Sequence, residues 1–477
     1  MNKYKKHRLA LYAVLLGAAP ALHAATLLEV YQQALQSDPL IHEAESRRLA
    51  ALEAVPQARS ALLPQLSAAG QLTKANSSGR NIVQDRTGID TLSFESANET
   101  TGWQVNLQQT VFRWDQLVSL KQAHKLVAKA EAEKEAAQQD LIVRVSQRYF
   151  DVLAAEDRLT SIRADRLAIA RQLEQARQRF EVGLIAITDV QESQAAYDQS
   201  VAAEIGAKRE LATASELLRE ITGEYVADLA APGDAFPLPS PDPGDQASWI
   251  DLAMAQNLAL VASRLDERIA RDEIGFRRTG HYPTIDLVAS YNDSQTDVMD
   301  QTRGGVQIPD FNTENQGDSI SLQISVPLFA GGGTSSRVRE AVYLHRAARE
   351  QLQRVTRETE RATRDAYLGV LSEISRVNAL EQAVASSRTA LDATQAGFEV
   401  GTRTIVDVLN SQRALYSAIT NFYQSRYVYV GNVLQLKQAA GILKVEDLEQ
   451  IDQHLAPRKP PEDVAPDEYG VTDSSDQ

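Results

Sequence analysis

Two copies of one short motif divide this sequence into similar halves. The copies are Phe180–Gly183 with Ile187–Val190, and Phe398–Gly401 with Ile405–Val408. Corresponding positions are 218 residues apart, since 398 − 180 and 407 − 189 are equal. Each glycine stands where a helix would end, and Thr188 and Thr404 are suited to starting the next helix. The repeat therefore predicts two helical hairpin tips in a chain built twice on one plan.

The first 24 residues have the pattern of a secretory signal peptide. Four basic residues precede an apolar stretch, Leu9–Ala19, that is too short to span a bilayer as a helix. The sequence predicts export, and the formal charge of −15 argues against nucleic acid as a partner. The absence of cysteine is compatible with export but is weak evidence for it.

Each half also contains two stretches in which apolar and polar residues alternate, as in strands with one apolar face. The four stretches are Gln65–Thr73, Trp103–Val111, Thr284–Tyr291 and Ser319–Leu328. We predict strands of about ten residues, joined in each half by a polar loop of about 27 or 28 residues. Two interpretations are open: an amphipathic hairpin on a soluble core, or an outer-membrane hairpin, which the strand length and export signal favour.

Long helices account for most of the remaining sequence. Asp115–Glu181 contains neither proline nor glycine. Its counterpart from 335 to 399 contains no proline and two glycines, Gly369 and Gly397, and we predict an interruption at Gly369. At 1.5 Å per residue such a helix is about 100 Å long. A seven-residue period precedes each tip, apolar throughout in the second half and with Arg166 among the apolar residues in the first. This period predicts coiled-coil packing. Helices are also predicted at 26–60 and 257–279, and returning helices from each tip to about Ile221 and Ala440.

Four strands per chain cannot close a sheet in lipid, where an open edge leaves backbone groups unsatisfied. The chain must therefore oligomerise, and three copies would supply twelve strands, although the strand count alone does not fix that number. Helices of this length far exceed the hydrocarbon layer, so they must project into water. The predicted fold is mixed α and β with internal duplication. An outer-membrane β-barrel completed by a trimer, four strands per chain, continues into a long periplasmic α-helical coiled-coil barrel.

The predicted domain boundaries follow from the same features. They are a signal peptide at 1–24, a first repeat at 25–225, a proline-rich linker at 226–248, a second repeat at 249–455, and a disordered acidic tail at 456–477.

The sequence resembles the TolC family of outer-membrane efflux and type I secretion channels. The resemblance covers about 27–455 and is strongest at the two tips, residues 182–191 and 400–409. It implies a homotrimer in the outer membrane of a Gram-negative bacterium, in contact with lipid and projecting into the periplasm. It also implies a periplasmic adaptor and an inner-membrane transporter of the RND, MFS or ABC type as partners, with no nucleic acid.

The resemblance implies a gate at the tips. The family's ring of aspartates maps to Asp407 and to position 410, which is Asn410 here. The basic partner that closes the gate maps to Arg403, and its acceptors map to Thr188 and Asp189. The tyrosine that bonds across to the aspartate maps to Phe398, which lacks the hydroxyl.

The turns implied to dock the adaptor are Val182, Gly183, Leu184, Val400, Gly401 and Thr402. Simpler interpretations exist for several tip residues. An aspartate in the first turn of a helix is favoured by the helix dipole, which applies to Asp189 and Asp407. Arg403 alone is typical of a solvated surface charge, and Phe180 and Phe398 continue an apolar repeat and suit packing.

Two other functional classes compete with the channel: a periplasmic adaptor and an enzyme. A periplasmic adaptor-like coiled-coil protein of an export complex is the alternative, but it would need a lipoyl-like or barrel domain that the sequence lacks. An enzyme is not predicted, because no catalytic, cofactor-binding or metal-binding motif is present. The sequence does not identify the cargo.

Overall fold

The computed structural model of the chain describes residues 24–85, 88–233 and 236–457. The predicted signal peptide, apart from Ala24, and the predicted tail from residue 458 onwards lie outside the described residues. The chain forms two compact units. We call the described parts of Met1–His42, Ala137–Asn257 and Thr359–Gln477 the tip unit, and those of Glu43–Ala136 and Leu258–Glu358 the sheet unit. Each unit contains segments from both sequence halves. The boundaries of the two sequence repeats, 25–225 and 249–455, remain a prediction.

The described residues form ten α-helices, a 3₁₀ turn and seven strands. The helices are α1 Leu27–Ser37, α2 Pro39–Leu52, α3 Ala54–Ser60, α4 Trp114–Glu181, α5 Ile187–Thr222, α6 Gln246–Gln256, α7 Leu258–Arg278, α8 Gly333–Glu399, α9 Ile405–Ala440 and α10 Val445–Asp452, with the 3₁₀ turn at Thr279–His281. The strands are β1 Gln65–Asp85, β2 Gly88–Phe112, β3 Ala231–Pro232, β4 Thr284–Arg303, β5 Val306–Ile308, β6 Phe311–Ser325 and β7 Leu455–Ala456.

The two longest helices agree with the sequence expectation. Helix α4 has 68 residues and helix α8 has 67. Helix α8 runs through Gly369, so the predicted interruption is wrong. A glycine inside a helix costs about 1 kcal/mol relative to alanine, and packing of the neighbouring Val370, which is fully buried, offsets that cost. A side chain at Gly369 would also lie 3.3 Å from Asn432 on α9, so the glycine permits close helix approach.

The region predicted as one helical stretch at 26–60 consists of three helices. Thr26 caps α1, because its hydroxyl accepts from the Glu29 amide and the Glu29 carboxylate accepts from the Thr26 amide. Helix α1 ends before Asp38, whose backbone is extended. Proline disfavours the helical conformation in the residue that precedes it, and Pro39 therefore separates α1 from α2.

Antiparallel pairing builds one sheet in the order β1-β2-β4-β6, with short β5 paired to the end of β4. The long strands have 21, 25, 20 and 15 residues. The four predicted strands are confirmed in their order, and the first and third start at the predicted residues, Gln65 and Thr284. The second and fourth start earlier than predicted, at Gly88 and Phe311, and the predicted length of about ten residues is wrong.

The predicted polar loops are also wrong, because the strands continue through them. The ladder between β1 and β2 runs without a break from Gln65↔Gln108 to Asp85↔Gly88. Polar side chains pair across it: Ser77 and Ser96 share a 2.8 Å hydrogen bond, and Lys74 lies 3.0 Å from Glu99. Backbone pairing needs no apolar alternation, and cross-strand polar pairs supply the side-chain contacts.

The fourth strand lies earlier in the chain than predicted. Strand β6 starts at Phe311 and ends at Ser325, short of Leu328. Pro327 has no amide hydrogen to continue the ladder. Gly331 and Gly332 follow with positive φ, and they lead into helix α8.

One face of this sheet is apolar and exposed. The rows pair Leu66 with Leu107, Leu107 with Ala289, and Ala289 with Ile320 across all four long strands. Large exposed members of this face are Leu66, Leu72, Trp103, Ile320, Leu322 and Ile324. The opposite face carries polar residues, among them the buried Asp286 of β4, whose carboxylate lies 3.0 Å from Nη2 of Arg113, the residue after β2.

The core of the tip unit includes segments far apart in sequence. Helix α1 contributes buried Leu27 and Val30, and the hydroxyl of Tyr149 on α4 donates to the carbonyl oxygens of Ala25 and Ala230 at 3.0 and 2.5 Å. Burial raises the pKa of the Tyr149 hydroxyl well above its usual value.

The predicted linker is packed against this core. Tyr429 and Tyr367 donate hydrogen bonds to the carbonyls of Pro239 and Gly244, at 2.8 and 2.6 Å. Strand β3 within the linker pairs with β7, which includes Ala456. The prediction of disorder from residue 456 is therefore wrong at Ala456, because that residue is held by β-pairing.

Candidate functional site: the two hairpin tips

Both tips lie in the tip unit, and each begins with the same helix ending. We call residues 182–190 the first tip and residues 400–410 the second tip. In the first, the amides of Gly183 and Leu184 donate to the carbonyls of Phe180 and Arg179 at 2.9 and 2.8 Å. Gly183 has φ of +75°, which glycine adopts without steric cost. This arrangement is a Schellman motif, and it confirms the predicted C-cap role of Gly183.

The second tip repeats this motif. The amides of Gly401 and Thr402 donate to the carbonyls of Phe398 and Gly397 at 3.1 and 2.8 Å, and φ of Gly401 is +78°. The Thr402 hydroxyl adds a 3.0 Å bond to the Gly397 carbonyl. The C-cap role of Gly401 is confirmed as well.

The helix that leaves the second tip has a capping box. The amide of Asp407 donates to Thr404 Oγ1 at 3.2 Å, and the amide of Thr404 donates to Asp407 Oδ2 at 2.9 Å. The Thr404 hydroxyl also donates to Asp407 Oδ2, at 2.9 Å. The backbone and hydroxyl bonds from Thr404 hold the pKa of the Asp407 carboxyl below its usual value.

The helix that leaves the first tip has no side-chain cap. Its N-cap residue is Ala186, and Thr188 lies inside the first turn, so the prediction that Thr188 starts this helix is wrong. Position 186 is the equivalent of Thr404. The shared local pattern therefore includes the aspartates, Asp189 and Asp407, but not the capping hydroxyl.

Packing also differs between the tips. Ile405 and Leu409 of α9 are buried against Ile169 of α4 and Ala196 of α5, so the second tip rests on the first hairpin. The side chain of Ile405 is 3 % exposed, whereas the equivalent Ile187 is 49 % exposed. The second tip is thus packed on the other hairpin, whereas the first tip packs Ile185 and Val190 within its own hairpin, against Leu173 and Ala176.

Phe398 is placed for packing. It contacts the Ile405 cluster, and the guanidinium of Arg179 lies over its ring at 4.8 Å from the centroid. Phe180 is exposed, so the packing prediction holds for Phe398 and not for Phe180. The contact from Arg179 was missed, because its sequence position beside Phe180 gives no sign of a partner 219 residues away.

A cavity of about 420 Å³ between the tips brings several predicted gate residues together. Asp189, Phe398 and Arg403 line it. Arg179 and Glu399 also line it. Thr188 and Asn410 do not line this cavity. Whether Arg403 links to Thr188 or Asp189 of any copy stays a prediction.

The predicted docking residues are exposed at the ends of the hairpins. The side chains of Val182, Leu184 and Val400 are 70, 72 and 76 % exposed. A Cβ atom added to Gly183 or Gly401 would meet nothing within 4 Å. The tips thus present apolar side chains on glycine turns, with room around them.

In the part of the chain that the structure describes, no helix combines the length and the apolar character that crossing a bilayer requires. Within the same residues no group of three or more His, Asp and Glu side chains is arranged to hold a metal ion.

Comparison with known proteins places these features in a family. The family described as "Outer membrane efflux protein" matches residues 30–224 and 249–442, one match in each sequence half. The chain is 39 % identical over 437 residues to "Outer membrane protein TolC" of Vibrio cholerae serotype O1, covering 91 % of this chain and 95 % of that protein.

Two further similarities extend the comparison. "Alkaline protease secretion protein AprF" of Pseudomonas aeruginosa is 29 % identical, over 89 % of this chain and 86 % of that protein. The crystal structure of the outer membrane protein VceC from Vibrio cholerae superimposes with a TM-score of 0.70 at 20 % identity, covering 87 % of this chain and 96 % of that one. At that identity the structural similarity establishes the fold.

Proposed function

This chain belongs to the outer membrane efflux protein family, and from that premise we propose how it carries out its function. It is an outer-membrane exit duct of the efflux and type I secretion class. Its relatives are channel proteins rather than enzymes, and we propose no catalytic role and no cofactor for this chain. The observation that carries the proposal is the pairing, in one chain, of an exposed apolar sheet face with long helical hairpins that end in exposed turns.

The working form is a homotrimer. Among the described residues, β1 pairs only with β2, and β6 pairs with β4 on one side only, so the sheet has two open long edges. Lipid does not tolerate unpaired backbone groups, and pairing of β6 of one copy with β1 of the next closes twelve long strands. The face that contains Leu66 and Ile320 then contacts lipid.

The tips of the three copies form the gate. Three copies of Asp407 stand in a ring, and Asn410 removes the second carboxylate ring expected from the family. Arg403 closes the gate through Thr188 and Asp189, and it carries more of that link because Phe398 has no hydroxyl. A ring of like charges attracts multivalent cations, and the attraction falls with the number of charges.

The exposed turns dock a periplasmic adaptor that connects the duct to an inner-membrane transporter of the RND, MFS or ABC type. Apolar side chains on exposed turns suit such a contact, since the described residues leave Val182, Leu184 and Val400 largely uncovered. The cargo is set by the transporter and the adaptor.

Cross-linking and mass measurement of the detergent-solubilised protein test the trimer, and a stable monomer in the outer membrane would contradict it.

Replacing Gly183 and Gly401 with bulky residues tests docking. We expect the double variant to reach the outer membrane as a trimer and to lose export. Replacing Gly206, which lies in helix α5 with open space around it, is the matched control. Normal export by the tip variant would rule out the docking role.

A further inference from the structure

A partly buried polar contact joins the two hairpins above the tips. Nε2 of Gln412 on α9 donates to Oδ1 of Asp165 on α4 at 2.9 Å, and to the backbone carbonyl of Asp165 at 3.2 Å. The two residues are 247 positions apart in the sequence. Helix α4 belongs to the first hairpin and α9 to the second, so this contact connects elements that must part if the hairpins separate.

The surroundings make the contact strong. The Gln412 side chain is buried, and Ile169 and Leu409, each one turn nearer the tip on its helix, belong to the same apolar cluster. Burial raises the pKa of the Asp165 carboxyl, while the Gln412 amide and the charge of Arg413 favour its ionised form. A hydrogen bond to a carboxylate in such an environment is stronger than one in water, and leaving either partner unpaired is costly.

The internal duplication provides an independent comparison. The equivalents of Asp165 and Gln412, 218 positions away, are Ala383 and Gln194. Alanine at 383 has no side-chain acceptor equivalent to Oδ1 of Asp165. Gln194 instead accepts from Arg177 Nη2 at 2.8 Å and donates to Asp198 Oδ1 at 2.9 Å. Those bonds lie within the first hairpin, so only one of the two duplicated positions joins different hairpins.

We propose that Asp165 and Gln412 form a latch that holds the two hairpins of one chain together when the tip is closed and that separates when the tip opens. The proposal rests on the gate proposed above. The latch supplies an interhairpin bond in a chain whose Phe398 cannot make the one expected at the tip. Asp165 and Gln412 are positioning residues, since they act on the pore through the helices that carry the tips.

A reversible cross-link tests whether the contact must separate. The chain contains no cysteine, so Asp165→Cys with Gln412→Cys introduces a unique pair. A short bis-methanethiosulfonate reagent should join the pair, abolish export, and allow export again after dithiothreitol. The same treatment of Gln194→Cys with Asp198→Cys, which joins positions within one hairpin, should leave export unchanged. Normal export with the Asp165–Gln412 cross-link shown to be complete would make the contact a fixed pivot and overturn the latch.

A single substitution gives a second readout. Gln412→Leu keeps the volume and removes both hydrogen bonds, and we expect the ratio of open to closed channels in planar bilayers to rise about tenfold. Gln194→Leu is the matched control and should behave as the wild type. An unchanged ratio in Gln412→Leu would overturn the latch. Wild-type protein without channel activity or export would instead contradict the proposed function, so the two failures are distinguishable.

Discussion

The two tips end their first helix in the same way and begin their second helix differently. Both use a glycine with positive φ in a Schellman motif. The second tip then has a capping box and a buried isoleucine, whereas the first has Ala186 as N-cap and an exposed isoleucine. The same local turn thus leads into one helix start that is capped and packed on the other hairpin, and one that has no side-chain cap and packs within its own hairpin. The tips therefore differ in local stability although their sequences align.

The largest difference is expected from the isoleucines. Ile405→Ala should destabilise the second tip by about 2–4 kcal/mol, because it removes a buried side chain and leaves a cavity. Ile187→Ala, at the exposed equivalent, should cost less than about 0.5 kcal/mol. Hydrogen exchange of the amides in 405–409 and 187–191 measures both. Equal losses at the two tips would remove the proposed asymmetry.

Block of the channel by trivalent cations tests whether the second tip carries the proposed ring of Asp407 carboxylates. Asp407→Ala should weaken the block in planar bilayers by more than about tenfold, because the remaining ring has no carboxylate. Asn410→Asp should tighten it by doubling the number of charges.

Changes elsewhere in the gate should affect conductance instead. Asp189→Ala and Arg403→Ser should raise conductance and leave the Asp407 ring in place. If trivalent-cation block of Asp407→Ala and of Asn410→Asp is the same as that of the wild type, position 407 does not line the constriction.

The capping difference can be exchanged between the tips. Thr404→Ala should cost the second tip about 1 kcal/mol by removing its cap. Ala186→Thr should stabilise the first tip by about 0.5–1 kcal/mol, since Asp189 already stands at the position that completes a capping box. Protease protection of each tip reports the change, with Thr188→Ala as the control. A gain in the Thr188→Ala variant, or none in Ala186→Thr, would contradict this account of the cap.

The smallest effect concerns pH. Because Thr404 lowers the pKa of Asp407 in the folded chain, the carboxylate stabilises the second tip above its unfolded pKa of about 3.9, and this contribution is lost as pH falls through the lower folded pKa. In Thr404→Ala the pKa of Asp407 should rise towards its ordinary value. Carboxyl-labelled aspartate followed by NMR checks this, with Asp407→Asn for assignment. Alanine keeps the backbone amide that donates to Asp407, so an unchanged pKa in Thr404→Ala would exclude the Thr404 hydroxyl as a cause.

Local sequence signals identified most of the helical architecture. Freedom from proline and glycine predicted α4, and the glycines before each tip predicted both turns. The apolar alternation predicts the strands in the right order but too short, because their outer parts are polar on both faces and the alternation stops there. The sequence predicts an interruption at Gly369, because sequence pattern does not show that Asn432 of another helix approaches it.

The sequence by itself determined the duplication, the two glycine turns, the long helices and the family to which the chain belongs, because each depends on neighbouring residues or on a fixed repeat. The tertiary structure alone decided which isoleucine is buried, how far the strands extend, and that Gln412 meets Asp165. Those outcomes depend on partners up to 247 residues away, and no local pattern encodes which side chain will lie opposite another once separate helices and strands pack.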